Sequence, residues 1–378
     1  MLFLRIKSEG LANISYFIGS GGEAAVIDPR RDIDVYQDIA REHCMNIKYI
    51  FETHRNEDYV AGSASLSAIT GAVVYHGGAL DFQYGNKTAE GDHLDVGDIR
   101  LAVWETPGHT PESLSFILYD RTSETPLMAF TGDTIFAGST GRTDLWGDRA
   151  QASGILYDNI HQKILDLGDS VMLCPAHGAG SVCGVGIADR DTTTIGYEIR
   201  TNPDLRLDRD SFIARKLAES IVKPPYFQRM EKMNLEGATG SQSKLQFLNV
   251  HEFQSEIKKG IIFDARMPYA FAAHIPGAYS IWLDGLSTYP GWISEYSKPI
   301  YLVLERDEEI SNAATYLYRI GFDNVKGYLC GGFQSWVEDA LDLEFIGFLV
   351  PDALAGMIAA DKIDVLDVRS DAEWREGR

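Results

Sequence analysis

The residues best able to do chemistry in this chain lie in one run, Thr53-His54-Arg55-Asn56-Glu57-Asp58-Tyr59, which continues into Val60-Ala61-Gly62-Ser63. The apolar run before it, Ile47-Lys48-Tyr49-Ile50-Phe51, reads as a buried strand. A strand that ends in Thr-His and passes through a loop into a helix presents a histidine at a sheet edge. That is where open α/β sheets hold ligands, and imidazole there suits metal binding or proton transfer. The four cysteines, Cys44, Cys174, Cys183 and Cys330, are too sparse for a disulfide scaffold and suit a reducing cytoplasm.

The elements that must position His54 can be read on either side of it. Asn13-Ile14-Ser15-Tyr16-Phe17-Ile18 and Ala24-Ala25-Val26-Ile27-Asp28-Pro29 read as two strands joined by the turn Gly19-Ser20-Gly21-Gly22. Asp32 to Cys44 reads as a helix. After His54 come a helix and the strands Val73-Val74-Tyr75-His76 and Leu101-Ala102-Val103-Trp104-Glu105. From Ser181 to Glu236 the pattern is largely helical and polar. Gly237-Ala238-Thr239-Gly240-Ser241-Gln242-Ser243 is a small-residue linker. With 378 residues and 45% hydrophobic content the chain can fill two or three cores. A net charge of −21 disfavours nucleic acid and anionic membrane as partners. Met1-Leu2-Phe3-Leu4-Arg5-Ile6 is too short and too soon charged for a signal peptide, and no apolar run approaches a membrane span.

The run around His54 resembles the metallo-β-lactamase superfamily signature T-H-x-H-x-D-H. His54 and Asp58 keep their positions, while Asn56 and Tyr59 stand where the signature has histidines. Three further blocks follow in family order. Thr106-Pro107-Gly108-His109-Thr110-Pro111-Glu112-Ser113 is similar to G-H-T-x-x-S. Met128-Ala129-Phe130-Thr131-Gly132-Asp133 is similar to F-x-G-D. Val171-Met172-Leu173-Cys174-Pro175-Ala176-His177 holds the position of the last histidine. The resemblance implies an αββα sandwich over residues 1–239.

The resemblance also implies a metal site. With Asn56 and Tyr59 lost to it, a second metal is not expected, because a phenol of ordinary pKa about 10 is a poor ligand at neutral pH. What remains around one ion is His54, His109 and Asp133. Two imidazoles and one carboxylate with open positions is the arrangement of non-haem Fe(II) oxygenases, so one Fe(II) per chain is expected, with a net positive centre that takes an anionic sulfur ligand and O₂ side by side. Asp58 is expected to orient a ligand histidine from outside. His177 is expected in the pocket without direct ligation. The segment Gly141-Arg142-Thr143-Asp144 resembles that of persulfide dioxygenases, which makes Arg142 the substrate-contact candidate; an ion pair with Asp144 is the plainer alternative. Arg200 is a weaker candidate of the same kind. Gly178-Ala179-Gly180-Ser181-Val182-Cys183-Gly184 carries no tyrosine of the glutathione-using members. It is similar to bacterial dioxygenase–rhodanese fusions, in which Cys183 would lie at the pocket mouth and handle sulfur.

Residues 245–345 resemble a rhodanese domain. Asp264-Ala265-Arg266, His274-Ile275-Pro276-Gly277-Ala278 and Gly331-Gly332-Phe333-Gln334-Ser335-Trp336 are its signature blocks. The position of the rhodanese cysteine is Leu304, followed by Glu305-Arg306-Asp307-Glu308-Glu309, which would repel a sulfur anion. This domain is expected to be catalytically silent. Ile363-Asp364-Val365-Leu366-Asp367-Val368-Arg369 repeats the first signature block, so residues 346–378 are expected to begin a second rhodanese domain whose cysteine lies beyond Arg378.

The expected function is oxidation of a low-molecular-weight persulfide by O₂ to sulfite and thiol by a cytoplasmic homo-oligomer. Thiosulfate would form only with a complete C-terminal rhodanese. The alternatives are a glyoxalase II-like thioester hydrolase and a non-catalytic sulfur-binding scaffold.

Overall fold

The protein is described from a computed structural model covering residues 1–378 except 191, 221, 243, 361, 362, 370–372, 375, 376 and 378. It divides into two compact units. One comprises Met1–Lys244, Asp284–Ser297 and Ser311–Val325; the other comprises Leu245–Leu283, Lys298–Ile310 and Lys326–Arg378.

The first unit is built on two six-stranded sheets. One is β1 (Leu2–Ser8), β2 (Asn13–Ser20), β3 (Glu23–Ile27), β4 (Asn46–Phe51), β5 (Val73–Gly77) and β6 (Asn86–Thr88), in that spatial order. Along the chain there follow β7 (His93–Val96), β8 (Ile99–Glu105), β9 (Leu114–Asp120), β10 (Thr125–Gly132), the hairpin β11 (Ile135–Phe136) and β12 (Ser139–Thr140), then β13 (Met172–Pro175) and β14 (Thr193–Thr194). The second sheet runs β14-β13-β10-β9-β8-β7. Alternating residues of the two sheets face each other: Tyr16, Ile18, Ile27 and Phe51 from one, Val103, Phe116, Leu118 and Phe130 from the other. Phe51 and Phe116 meet at a ring separation of 4.7 Å. Each fully buried ring of this kind contributes about 2 kcal/mol of transfer free energy.

The outward faces are covered by helices. Tyr36 of helix Asp34–Glu42 and Leu66 of helix Ser63–Thr70 close one side. Leu156 of helix Arg149–Asn159 and Phe212 of helix Arg209–Ala218 close the other. The architecture is the αββα sandwich expected. Two details differ. The chain opens with three strands, since Leu2–Ser8 pairs antiparallel with β2. The first helix starts at Asp34, because the Asp32 carboxylate is occupied by Arg30 and Arg319.

The second unit holds a five-stranded sheet ordered Gln246–Leu248, Val325–Leu329, Ile300–Val303, Ile261–Asp264, Tyr279–Ser280. Its core includes Phe253, Ile262, Val303 and Trp336. Asp264 and Arg266 form a buried fork of 2.8 and 2.6 Å, a structural use of that signature block. Leu304 is buried at the end of its strand. Segment Ile363–Val368 forms no strand among the described residues, and Arg375, Glu376 and Arg378, part of the expected continuation, fall outside them. No helix among the described residues is long and apolar enough to cross a membrane.

Candidate metal centre

The strand ends of both sheets meet at one place, and each delivers a residue there. β4 ends at Phe51 and hands the chain to Thr53 and His54. Thr53 is fixed by Asp28, just after β3: its amide donates to Oδ1 and its hydroxyl to Oδ2, both at 2.8 Å. With that proton committed, Thr53 Oγ1 at 2.9 Å from His54 Nδ1 must accept. Neutral His54 therefore carries its proton on Nδ1 and turns the Nε2 lone pair inward. Burial pushes the His54 pKa down to about 4, against the pull of Asp133, so the ring is neutral at physiological pH.

His109 sits on the loop between β8 and β9. Its Nδ1–H donates to the Arg142 carbonyl at 3.0 Å, which again leaves Nε2 facing inward. Asp133 follows β10, at Gly132. Gly132 has φ +52°, and a Cβ there would lie 2.6 Å from Thr53 Oγ1, so only glycine lets the two strand ends approach this closely. A Cβ on Gly141 would likewise strike the Asp133 carbonyl at 2.0 Å.

Asp133 Oδ2 lies 3.7 Å from His54 Nε2 and 3.4 Å from His109 Nε2. All three atoms are buried and have no hydrogen-bond partner among the described residues. Buried polar atoms without partners are rare and costly, and three converging on one point fit a shared cation. The donor set suits a divalent ion of intermediate hardness. Burial works against charge on Asp133, but His177, His54 and His109 outweigh it and hold the carboxyl well below the usual range.

His177, following β13, is seated between two acids. Its Nδ1 donates to Asp133 Oδ1 at 2.7 Å and its Nε2 to Asp58 Oδ2 at 3.1 Å. Burial opposes charge on this ring, yet the two carboxylates raise its pKa well above the ordinary value. Asp58 thus orients His177, not one of the three converging groups. Burial raises the Asp58 pKa.

Three further sequence expectations change. The Arg142 side chain takes the ion pair given as the plainer alternative: it is fully buried, forks onto Asp144 at 2.7 and 2.7 Å, and donates to the Val182 carbonyl at 3.0 Å. Its contribution to the site is the carbonyl that orients His109. Arg200 lies on the surface, paired with Asp169 at 3.3 Å with both side chains about two thirds exposed (66% and 69%). Cys183 is buried, not at a pocket mouth. Burial, then Asp58 and Glu57, push its thiol up, so it is neutral and its S–H faces Glu57 Oε1 at 3.7 Å. A neutral thiol is a weak nucleophile.

Sequence reasoning passed over Glu57. It is fully buried, and its Oε1 lies 3.2 Å from His109 Nε2 without hydrogen-bond alignment. The available signal was an ionisable residue in a variable place of the signature, beside two lost imidazoles. The replacements are themselves secured. Tyr59 donates to the Asp28 carbonyl at 3.4 Å. Asn234, from helix Phe227–Glu236, clamps the loop by donating to the carbonyls of Asn56 and Tyr59 at 2.6 and 2.8 Å and accepting from Ala61 N at 2.8 Å.

Residues 10–177 match the metallo-beta-lactamase superfamily and residues 249–339 the rhodanese-like domain. The fold is similar to a solved metallo-beta-lactamase from Staphylococcus aureus subsp. aureus COL. The TM-score is 0.79 at 30% identity, over 86% of this chain and 98% of that one. The chain belongs to the metallo-beta-lactamase superfamily, in the form fused to a rhodanese-like domain. Within it, the chain is 28% identical over 218 residues to the mitochondrial persulfide dioxygenase ETHE1 of Bos taurus, across 56% of this chain and 78% of that protein. It is also 30% identical over 170 residues to a hydroxyacylglutathione hydrolase of Tolumonas auensis, across 44% of this chain and 61% of that protein.

Proposed function

We propose that this chain is a mononuclear non-haem iron(II) dioxygenase that oxidises a low-molecular-weight persulfide to sulfite and thiol. The observation that carries this reading is the convergence of His54 Nε2, His109 Nε2 and Asp133 Oδ2 at one point, buried and without hydrogen-bond partners among the described residues. The similarity to a persulfide dioxygenase supports it. The overall change is RSSH + O₂ + H₂O → RSH + HSO₃⁻ + H⁺, in which the outer sulfur gives up the four electrons that reduce O₂.

In this reading His54, His109 and Asp133 hold the ion from one side. When bound, iron(II) supplies adjoining positions for O₂ and sulfur and the electrons that start their reaction. The protein supplies the rest. Thr53 and the Arg142 carbonyl keep both rings in the tautomer that presents Nε2. The buried walls exclude bulk water. The Asp58–His177 pair holds a proton at His177 Nε2, ready for the thiolate that leaves when the S–S bond breaks. The rhodanese-like part adds no sulfur transfer of its own, since Leu304 replaces the nucleophile.

One observation favours a second reading, a two-metal thioester hydrolase. Donor atoms of Asp58, His177 and Cys183 also lie within 4.8 Å of one another. That site would require His177 to release a proton and Cys183 to ionise against its raised pKa. Metal analysis with an oxygen electrode separates the two. The dioxygenase predicts about one iron per chain, with O₂ consumed and sulfite formed in equal amounts on adding persulfide. Two ions per chain and thioester hydrolysis without O₂ uptake would overturn it.

A further inference from the structure

Glu57 is a carboxylate with 0% exposure, and no lysine or arginine pairs with it among the described residues. Its Oε2 is buried without a hydrogen-bond partner among the described residues, and its Oε1 faces the Cys183 thiol at 3.7 Å and His109 Nε2 at 3.2 Å. A buried charge of this kind needs a cation. His109 Nδ1 donates to the Arg142 carbonyl, so Nε2 is the ring nitrogen that faces Glu57 Oε1 and, at 3.4 Å, Asp133 Oδ2. One proton on Nε2 can satisfy only one of these oxygens. A divalent ion satisfies both and the ring nitrogen as well. Donor atoms of His54, Glu57 and His109 lie within 4.8 Å of one another, inside the span of a single ion's ligands.

We propose that Glu57 is a fourth ligand of the ion, so that the centre is built from two imidazoles and two carboxylates. This rests on the metal reading above. Asn56 removes an imidazole from the signature, and the next residue fills the gap with an oxygen. The chain's own ligands then neutralise a divalent ion, and the additional hard oxygen favours iron(II) or manganese(II) over copper or zinc. An octahedral ion would keep two open positions, enough for one sulfur and one O₂.

The test is anaerobic Fe(II) binding to the full chain, with Asp133→Asn as reference. Glu57→Gln keeps the side-chain volume and is expected to weaken Fe(II) binding at least tenfold, as Asp133→Asn does, with an unchanged far-ultraviolet circular dichroism spectrum. Wild-type affinity in Glu57→Gln alone overturns the fourth ligand and leaves the three-ligand site standing. Wild-type affinity in both variants overturns the site itself. If Glu57→Gln does not fold, a crystal of the iron-loaded wild-type protein decides. A Glu57 oxygen at about 2.2 Å from the anomalous peak supports ligation, and separation beyond about 3 Å removes it.

Discussion

Thr53 has one hydroxyl proton and two neighbours that could take it, and the choice sets the face His54 shows to the ion. Ionised Asp28 takes the proton, so above about pH 7 His54 Nδ1 must be the donor to Oγ1. Asp28→Asn would reverse the chain of bonds. An amide N–H would then donate to Thr53, whose hydroxyl would donate to His54 Nδ1 and force the ring proton onto Nε2. Fe(II) affinity is expected to fall by about 10–100-fold, as for other groups that fix a ligand's tautomer; isothermal titration measures it. The same aspartate has a pH signature. Burial raises its pKa from 3.8 to about 7 despite two donors from Thr53. The folded state therefore holds a proton that the unfolded chain releases earlier. Its contribution to stability is greatest below about pH 4, falls as pH rises toward about 7, and then levels, by up to roughly 4 kcal/mol. Urea midpoints of the metal-free protein across this range should decline for the wild type and stay flatter for Asp28→Asn.

At the scale of elements, the site is an agreement between strand ends. β4, β10 and β13 stop at the same level, and Gly132 lets two of them touch. Gly132→Ala would place a methyl 2.6 Å from Thr53 Oγ1 in a backbone conformation that alanine tolerates poorly. A loss of about 2 kcal/mol is expected, seen as a lower melting temperature together with weaker iron binding. Strand ends are also what the sequence states most clearly. An apolar run followed by Thr-His, Gly-His, Gly-Asp or Ala-His within a few residues can be recognised along the chain, so His54, His109, Asp133 and His177 could all be picked out. Glu57 could not, because the direction of its side chain depends on how the loop turns after Asn56, and Asn234 fixes that turn from 178 residues away. The fate of Arg142 was equally hidden. Its pairing with Asp144 is local and could be foreseen as one alternative, but its complete burial comes from helix and loop packing that no spacing reveals.

For the whole molecule, composition and motif order led to the sandwich and the rhodanese-like domain but not to the way the chain divides. Segments 284–297 and 311–325 lie within the stretch of rhodanese signatures yet belong to the compact unit that carries the metal centre. Arg319 shows what they do there. It forks onto Asp32 at 2.8 and 2.9 Å and reaches the Glu9 carbonyl at 3.0 Å, and its own carbonyl accepts from Val60 N at 2.8 Å, where the His54 loop ends. Shortened versions of the gene that stop after codon 244 would therefore yield a metal-site unit with an uncovered amide at Val60 and with Asp32 left to Arg30 alone. Such a product is expected to melt well below the full-length chain in differential scanning fluorimetry and to precipitate when purified. Anyone wishing to isolate the unit with the metal site should keep the chain through Val325 at least.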